Sequence, residues 1–290
     1  MSVLSKYYII LHIVKGKEFC TMARKRTAKP SKNRLAYRKE KIFAMTNKSW
    51  NIAKLNQTFV IGSLSNLFRA SNARTMDDWE NWYYQSGEER KQKLRALPAH
   101  KRAILENFNL PYEKGYALIH TLSEEELKIN THYGRTKEDL RQIASTFKKH
   151  LHKDIRFKHL KFDTIYDFVL LRVLDETFIG FMREYNTIKQ LRKDFPQFTF
   201  HEVSSELDAK YAIDCEAYIG EELQFAIQIK SSKYYDADKG FLTAVKKMNH
   251  NKNKMYTDEF GVPVYYVFSN EQGRIHNSDI CDEIKHLHSA

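Results

Sequence analysis

The chain has 290 residues, of which 42% are hydrophobic and 13% aromatic, with only 10 Gly and 5 Pro. This composition argues against a disordered chain, and the length suffices for one large domain or two modest ones. The formal net charge of +12 favours a polyanionic partner, either nucleic acid or an acidic membrane surface. The cysteines are scattered without metal-finger spacing, which is typical of reduced thiols in a cytoplasmic protein: Cys20, Cys215 and Cys281.

The amino terminus carries no segment that predicts membrane insertion. Its apolar run, residues 7–14, is too short to span a bilayer and lacks a small-residue cleavage site. No basic helix has a convincing apolar face for a membrane surface either. Met22, followed by Ala-Arg-Lys-Arg, resembles a natural start, so residues 1–21 are expected to be dispensable.

Positive charge is concentrated near the amino terminus. Residues 21–54 contain eleven Lys or Arg and a single acid, Glu40. Such a segment can lie along a phosphate backbone, and we expect Arg34 and Arg38 to take part; the alternative is a solvated basic arm. The next stretch, residues 51–74, is rich in side chains that can pair with base edges, although capping and loop chemistry would use the same residues. Its candidates for DNA contact are Lys54, Asn56, Gln57, Ser63, Asn66, Arg69, Asn72 and Arg74.

The remainder of the first half is predicted to be helical. Thr75 is a candidate N-cap with acids in the first turn behind it, and Ser123 is another. The spacing of Trp79, Trp82 and Tyr83 favours core positions. With a further helix at 137–150, residues 1–155 are interpreted as a basic, mainly helical recognition region, and residues 156–290 as a second unit.

A long helix is predicted from residue 163 to about 193, before Pro196, with a possible break near Gly180. Glu184 lies on its apolar stripe, together with Phe181, Ile188 and Leu191. A carboxylate on an apolar face needs a partner such as a metal, a cap or an arginine, so a plain salt bridge is the competing interpretation. Glu176 is a weaker alternative on the same helix.

The remaining pattern predicts a strand at 198–203, a polar connection at 204–210, a hairpin at 211–230, a basic helix from 237 to about 254, a buried strand at 262–268 and a helix from 277. This order indicates an α/β (α+β) layer with a small mixed sheet. Period-two alternation puts Gln228 and Lys230 on one face, where Asp214 can approach them across the hairpin. A carboxylate, a second oxygen ligand and a lysine at a sheet edge suit a metal-dependent phosphodiesterase; the alternative is an ordinary amphipathic hairpin.

The arrangement of Asp214 and Gln228-Ile229-Lys230 on successive strands resembles the PD-(D/E)XK nuclease superfamily. Two departures resemble variants known in restriction endonucleases: Ala212-Ile213-Asp214 lacks the proline, and Gln228 replaces the usual acid. Residues 177–188 are similar to the helix of type II restriction endonucleases related to archaeal CTAG-cutting enzymes. Residues 56–66 and 77–83 also resemble segments of that group.

The resemblance implies Mg²⁺-dependent hydrolysis of double-stranded DNA, with Mn²⁺ able to substitute. The metal ligands would be Asp214, Gln228, the carbonyl of Ile229 and Glu184, and Lys230 would polarise the attacking water. Glu206 and Glu216 are lesser candidates. The implied protein is a homodimeric type II enzyme of a prokaryotic restriction–modification system, cytoplasmic, and cutting a short palindrome such as CTAG. A repair or junction-resolving nuclease and a catalytically inactive DNA-binding protein are the alternatives.

Overall fold

The computed structural model describes residues 32–110, 117–231, 234 and 241–286. Predictions for Cys20, for the basic residues before 32 and for the amino-terminal apolar run therefore lie outside the described residues. The first half is helical, as predicted. Its helices are α1 (Lys32–Tyr37), α2 (Lys41–Met45), α3 (Asn47–Ile52), α4 (Thr58–Ile61), α5 (Leu64–Ser71), α6 (Met76–Arg95), α7 (Ala99–Glu106), α8 (Glu124–Thr131) and α9 (Lys137–Leu151).

Local capping chemistry sets several of these helix starts. The Thr75 side chain accepts a hydrogen bond from the Asp78 N–H at the start of α6. Ser123 and Glu126 form a reciprocal capping box at the start of α8. Trp79 and Tyr83 are fully buried in the helical core, with Trp82 packed against it. The capping and core predictions for this region are confirmed.

The long helix that follows is continuous but irregular. It comprises α10 (Phe162–Leu170), a π-helical turn (Leu171–Asp175) and α11 (Glu176–Asp194), and it ends before Pro196. The irregularity lies at 171–175, so the suggested break near Gly180 is wrong. Residues 165–174 pack into the core of the helical half. The division at residues 155 and 156 stays a prediction.

A four-stranded mixed sheet follows, as the sequence predicts. Its strands are β1 (Thr199–Glu202), β2 (Cys215–Ile219), β3 (Glu222–Ser231) and β4 (Val264–Ser269), in that spatial order. The first three are antiparallel neighbours, and β4 runs parallel to β3. The helices whose bounds lie in the described part of this half are α12 (Ser205–Tyr211), α13 (Phe241–Phe260) and α14 (Ser278–His286).

Helices cover both faces of the sheet. On one face, Phe225, Ile227 and Ile229 pack with Ile188 and Leu191 of α11, and Ile284 of α14 joins them. On the other, Ala226 and Val264 pack with Tyr256 of α13 and with residues of α12. The alternation along β3 therefore directs Gln228 and Lys230 to the α13 side.

Residues 204–210 are not the polar connection that the sequence suggested. They form most of α12, because the Ser204 side chain caps its start by accepting a hydrogen bond from the Leu207 N–H. Tyr211 is buried against α13, which holds the short helix in place. The α13 prediction was correct in kind but ended too early, at 254 rather than 260, and its proposed start at 237 lies outside the described residues.

No helix among the described residues is long and apolar enough to cross a membrane.

Two glycines in helices test how tightly the fold is packed. A Cβ at Gly87 of α6 would lie 2.4 Å from the Arg135 carbonyl carbon, whereas a Cβ at Gly180 of α11 would meet nothing within 4 Å. We expect Gly87→Ala to lower the free energy of unfolding by about 1–3 kcal/mol. Gly180→Ala should raise it by about 0.5–1 kcal/mol, because glycine disfavours a helix interior. Urea unfolding of both variants checks the opposite signs; equal effects would contradict the close approach at Gly87.

Candidate active site

Asp214 lies where β2 begins, between two neighbouring strands. Its backbone N–H donates to the Ile227 carbonyl at 2.8 Å, and its Oδ2 accepts a hydrogen bond from the Ile229 N–H at 2.5 Å. The carboxylate is therefore fixed across the hairpin beside the end of β3. The predicted approach of Asp214 to the 228–230 segment is confirmed as geometry; the roles of these residues stay predictions.

Lys230 and Gln228 have different surroundings beside this carboxylate. The Lys230 Nζ lies 3.8 Å from the Asp214 Oδ2, with the lysine side chain 25% exposed. Gln228 is 1% exposed, and its Oε1 has no hydrogen-bond partner among the described residues. An unsatisfied buried amide oxygen is costly, so an electrophilic partner for this atom would be stabilising.

Glu184 approaches Asp214 from α11. Both line a cavity of about 210 Å³ between the helical half and the sheet, whereas Gln228 and Lys230 are not among its lining residues. Within the described part of the chain, Glu184 forms no ion pair at 4.0 Å or closer, which disfavours the salt-bridge interpretation. Burial, and then the charge of Asp214, raises the pKa of Glu184 to about 8.

Asp214 is itself in an unfavourable environment for a charge. Burial raises its pKa, opposed by the Lys230 ammonium and by the Ile229 N–H. Two carboxyl groups with raised pKa values at one cavity form a site that gains from bound positive charge.

The oxygen donors here suit a hard divalent cation. Asp214 and Glu184 supply carboxylate ligands. The unsatisfied Gln228 Oε1 is a third candidate ligand, and the carbonyl of the next residue, Ile229, is a fourth. Such all-oxygen sets are typical of Mg²⁺ or Mn²⁺. Among the described residues no group of three or more His, Cys, Asp or Glu is placed to hold a metal, so the amide and carbonyl oxygens would have to contribute.

The helical half forms the opposite wall of the cavity. Three of the residues predicted to contact DNA line it: Arg69 on α5, and Asn72 and Arg74 directly after it. The Arg74 guanidinium lies over the Tyr185 ring, 4.7 Å from its centroid. Nothing in the sequence pattern indicated that these residues face the carboxylates of α11 and β2.

The other predicted DNA contacts do not line this cavity. Lys54, Asn56 and Gln57 lie on the connection between α3 and α4, and Ser63 and Asn66 lie at the start of α5. Asn56 and Asn66 are exposed and the other three are half-buried. These positions are compatible with contact to DNA beyond the cavity.

Arg34 of α1 and Arg38 of the turn after it have partners within the fold. Arg34 is 3% exposed, and its Nε lies 2.7 Å from the Asp175 Oδ2. A second nitrogen of Arg34 lies 3.3 Å from the Glu80 carboxylate. Arg34 thus ties α1 to the π-helical turn, and its predicted contact with DNA stays a prediction. Arg38, half-buried, is ion-paired with Glu271.

The lesser acidic candidates are placed differently. Glu216 accepts hydrogen bonds from the hydroxyls of Tyr256, at 2.6 Å, and Tyr218, at 2.8 Å, so its carboxylate is occupied within the fold. Glu206 is exposed on α12 and lines neither the cavity of Asp214 nor the recess beside it. Glu176 is exposed at the start of α11 and lines a neighbouring recess that Glu184 also borders.

Sequence reasoning missed two acids near the cavity. Glu202 at the end of β1 lines it, and Asp208 of α12 lines the neighbouring recess with Glu184. Residues 204–210 were predicted to be a polar connection, which gave no reason to expect Asp208 beside Glu184. The N-cap pattern at Ser204 was the one available signal that a helix presents this residue.

The raised pKa of Glu184 predicts how the folding stability should depend on pH. Between its ordinary pKa of 4.5 and about 8, the folded protein retains a proton that the unfolded chain releases, so stability falls as pH rises through this window. In EDTA, Glu184→Gln should therefore raise Tm at pH 8 by about 2–3 °C, corresponding to a gain on the order of 1 kcal/mol. Scanning calorimetry at both pH values should show that gain vanish near pH 4.5; a pH-independent gain would contradict the shift.

A protein-family model matches a range of the chain that includes both walls of this cavity. The family model described as MjaI restriction endonuclease matches residues 43–285, a range that includes Arg69, Glu184, Asp214 and Lys230. A search of curated proteins and a search of solved structures each found no match.

Proposed function

The chain belongs to the MjaI restriction endonuclease family, and we propose that it hydrolyses double-stranded DNA at the Asp214 cavity in a Mg²⁺-dependent reaction of the PD-(D/E)XK type. One observation carries the proposal: the Asp214 carboxylate is fixed by the Ile229 N–H beside the Lys230 ammonium, and Glu184 shares its cavity. The net charge of +12 supports a polyanionic substrate.

The residues divide the work of hydrolysis. Asp214, Glu184, the Gln228 Oε1 and the Ile229 carbonyl would hold Mg²⁺, with Mn²⁺ as a substitute. When bound, the metal supplies positive charge to the phosphate and lowers the pKa of a water molecule. Lys230, held near Asp214, orients the attacking water and offsets the charge that develops on the phosphate.

Cutting both strands of a palindrome requires two sites related by a twofold axis, so we propose a type II enzyme that acts as a homodimer. The resemblance of residues 177–188 to CTAG-cutting enzymes makes CTAG the first sequence to test. Activity within a prokaryotic cytoplasm, beside a protective methyltransferase, would follow from this role.

Digestion of a plasmid of known sequence tests the proposal. With Mg²⁺ or Mn²⁺ we expect discrete fragments whose mapped ends share one short palindrome, and with EDTA we expect none. Cleavage confined to branched or damaged DNA would favour a repair or junction-resolving nuclease. Binding without cleavage in either metal would favour an inactive DNA-binding protein.

Gln228 gives a separate test of the metal site. Gln228→Met keeps the side-chain length and removes the unsatisfied Oε1, so folding stability should be unchanged or higher. If this oxygen serves the metal, the cleavage rate or the apparent Mg²⁺ affinity should fall by about 10–100-fold. A Mg²⁺ titration of cleavage beside a urea unfolding curve measures both. Loss of stability together with unchanged Mg²⁺ dependence would assign Gln228 to folding alone.

A further inference from the structure

One cation of the helical half, Arg69, lies at the cavity that Asp214 and Glu184 line. Arg69 lies in the last turn of α5, and its side chain lines the same cavity as Glu184 and Asp214. The Arg69 guanidinium carbon lies 5.7 Å from the centroid of the Phe181 ring, one turn before Glu184 on α11. The ring supports the guanidinium in a position facing the proposed metal ligands.

The ion pair of Arg69 with Asp208 is loose. Its Nη2 lies 3.7 Å from the Asp208 Oδ2, beyond the usual hydrogen-bond distance of about 2.7–3.2 Å. Both side chains are about one third exposed, at 32% and 38%. A solvent-accessible pair of this length contributes little stability, about 0–1 kcal/mol, so breaking the Arg69–Asp208 pair costs little.

Three carboxyl groups lie around Arg69. Asp208 and Glu184 border one recess, and Glu184 and Asp214 line the adjoining cavity. Arg69 lines that cavity together with both of its carboxylates, so it lies close to the groups that would surround a scissile phosphate. Its planar fork of N–H donors matches phosphate oxygens better than a lysine ammonium would.

Resting on the proposed function, we infer that Arg69 is a catalytic residue that holds the reacting phosphodiester, and that Asp208 is its partner only while the cleft is free of DNA. On entry of DNA, the guanidinium exchanges the Asp208 carboxylate for two phosphate oxygens. Arg69 therefore acts on the phosphate and does not read a base. No covalent bond changes in this exchange, and the guanidinium offsets part of the repulsion between the phosphate and the nearby carboxylates.

Two measurements on a duplex with one mapped site test the inference: the single-turnover cleavage rate at saturating enzyme, and the Kd for the duplex in EDTA. Arg69→Lys and Arg69→Gln should lower the rate by about 100- to 1,000-fold, as expected for loss of one transition-state donor. Arg95→Gln, which removes an exposed charge at the end of α6, is the matched control and should keep the wild-type rate. An Arg69→Gln rate within threefold of that control would overturn the catalytic role.

Asp208→Asn tests the exchange itself. It should tighten duplex binding by about 3- to 10-fold, whereas Glu206→Gln, which removes an exposed acid on the same helix, should change Kd less than twofold. The gain should disappear in the Arg69→Gln background, because Asp208 acts through that arginine. Equal tightening by both α12 variants, or a gain that persists without Arg69, would overturn the exchange.

The Kd values of the Asp208 and Arg69 single and double variants distinguish failure of this inference from failure of the proposed function. If the wild-type protein binds duplexes but cuts none, the proposed hydrolysis and the catalytic role of Arg69 both fail. The Kd values of the Asp208 variants still test whether Arg69 exchanges Asp208 for a phosphate. If the wild type cuts and the Arg69 variants cut equally well, the hydrolysis stands and this inference fails. Thermal unfolding of each variant identifies any loss that reflects misfolding.

Discussion

Replacing Asp214 by Asn should reduce DNA cleavage by about a thousandfold or more while leaving the protein folded. The substitution keeps the side-chain shape but removes the charge that faces Lys230 and that would bind the metal. Loss of a charged metal ligand is expected to remove several kcal/mol of transition-state stabilisation, and about 4 kcal/mol corresponds to a thousandfold. The measurement is the initial rate of plasmid linearisation at saturating Mg²⁺.

The stability of Asp214→Asn separates chemistry from folding. Burial raises the pKa of Asp214, so a neutral amide should be tolerated and Tm in EDTA should not fall. The Ile229 N–H retains an acceptor in the amide oxygen. Glu221→Gln, an exposed acid in the turn at the other end of the same hairpin, is the control and should cut at the wild-type rate. Undiminished cleavage by Asp214→Asn would refute the assignment of this cavity as the catalytic centre.

The order of elements was predictable because the local signals here are strong. Thr75 and Ser123 predict helix starts, because the side chain of each caps the N–H of the residue three positions later. The alternation along residues 223–230 predicts β3 and the face of Lys230, since one slip in register would expose the core. Short-range periodicity also placed Glu184 on the buried stripe of its helix.

Which residues line the cavity was not predictable, because that depends on how elements distant in sequence pack together. Arg69 and Asp214 are separated by 145 positions, and no local pattern states that α5 faces the start of β2. Arg34 gives a second example: its charge suggested DNA, and the structure also pairs it with the buried Asp175 of the π-helical turn, which needs an internal cation. Charge in a sequence indicates a need for a partner and does not identify that partner.

The second large effect concerns stability and lies in the helical wall. Arg135 is fully buried, and its guanidinium donates to the backbone carbonyls of Phe59, Val60, Asn130, Tyr133 and Gly134 at 2.6–2.9 Å. Arg135→Met would remove all five of these hydrogen bonds. We expect the free energy of unfolding to fall by about 3–5 kcal/mol, and Tm by about 10 °C. Arg156→Met, at an exposed pair with Asp154, is the matched control and should cost at most about 1 kcal/mol.

This network also sets the position of the wall that carries Arg69. Arg135 joins the end of α4 to residues 130–134, and the Ser63 N–H, directly before α5, donates to the Thr131 carbonyl at 2.7 Å. Loosening this joint should allow α5 to shift relative to α11. Arg135→Met should therefore lose cleavage activity even at temperatures where circular dichroism shows it folded. A variant that unfolds within 1–2 °C of Arg156→Met would show that these carbonyls are satisfied in another way. A destabilised variant with full activity in its folded range would show that α5 holds its place without them.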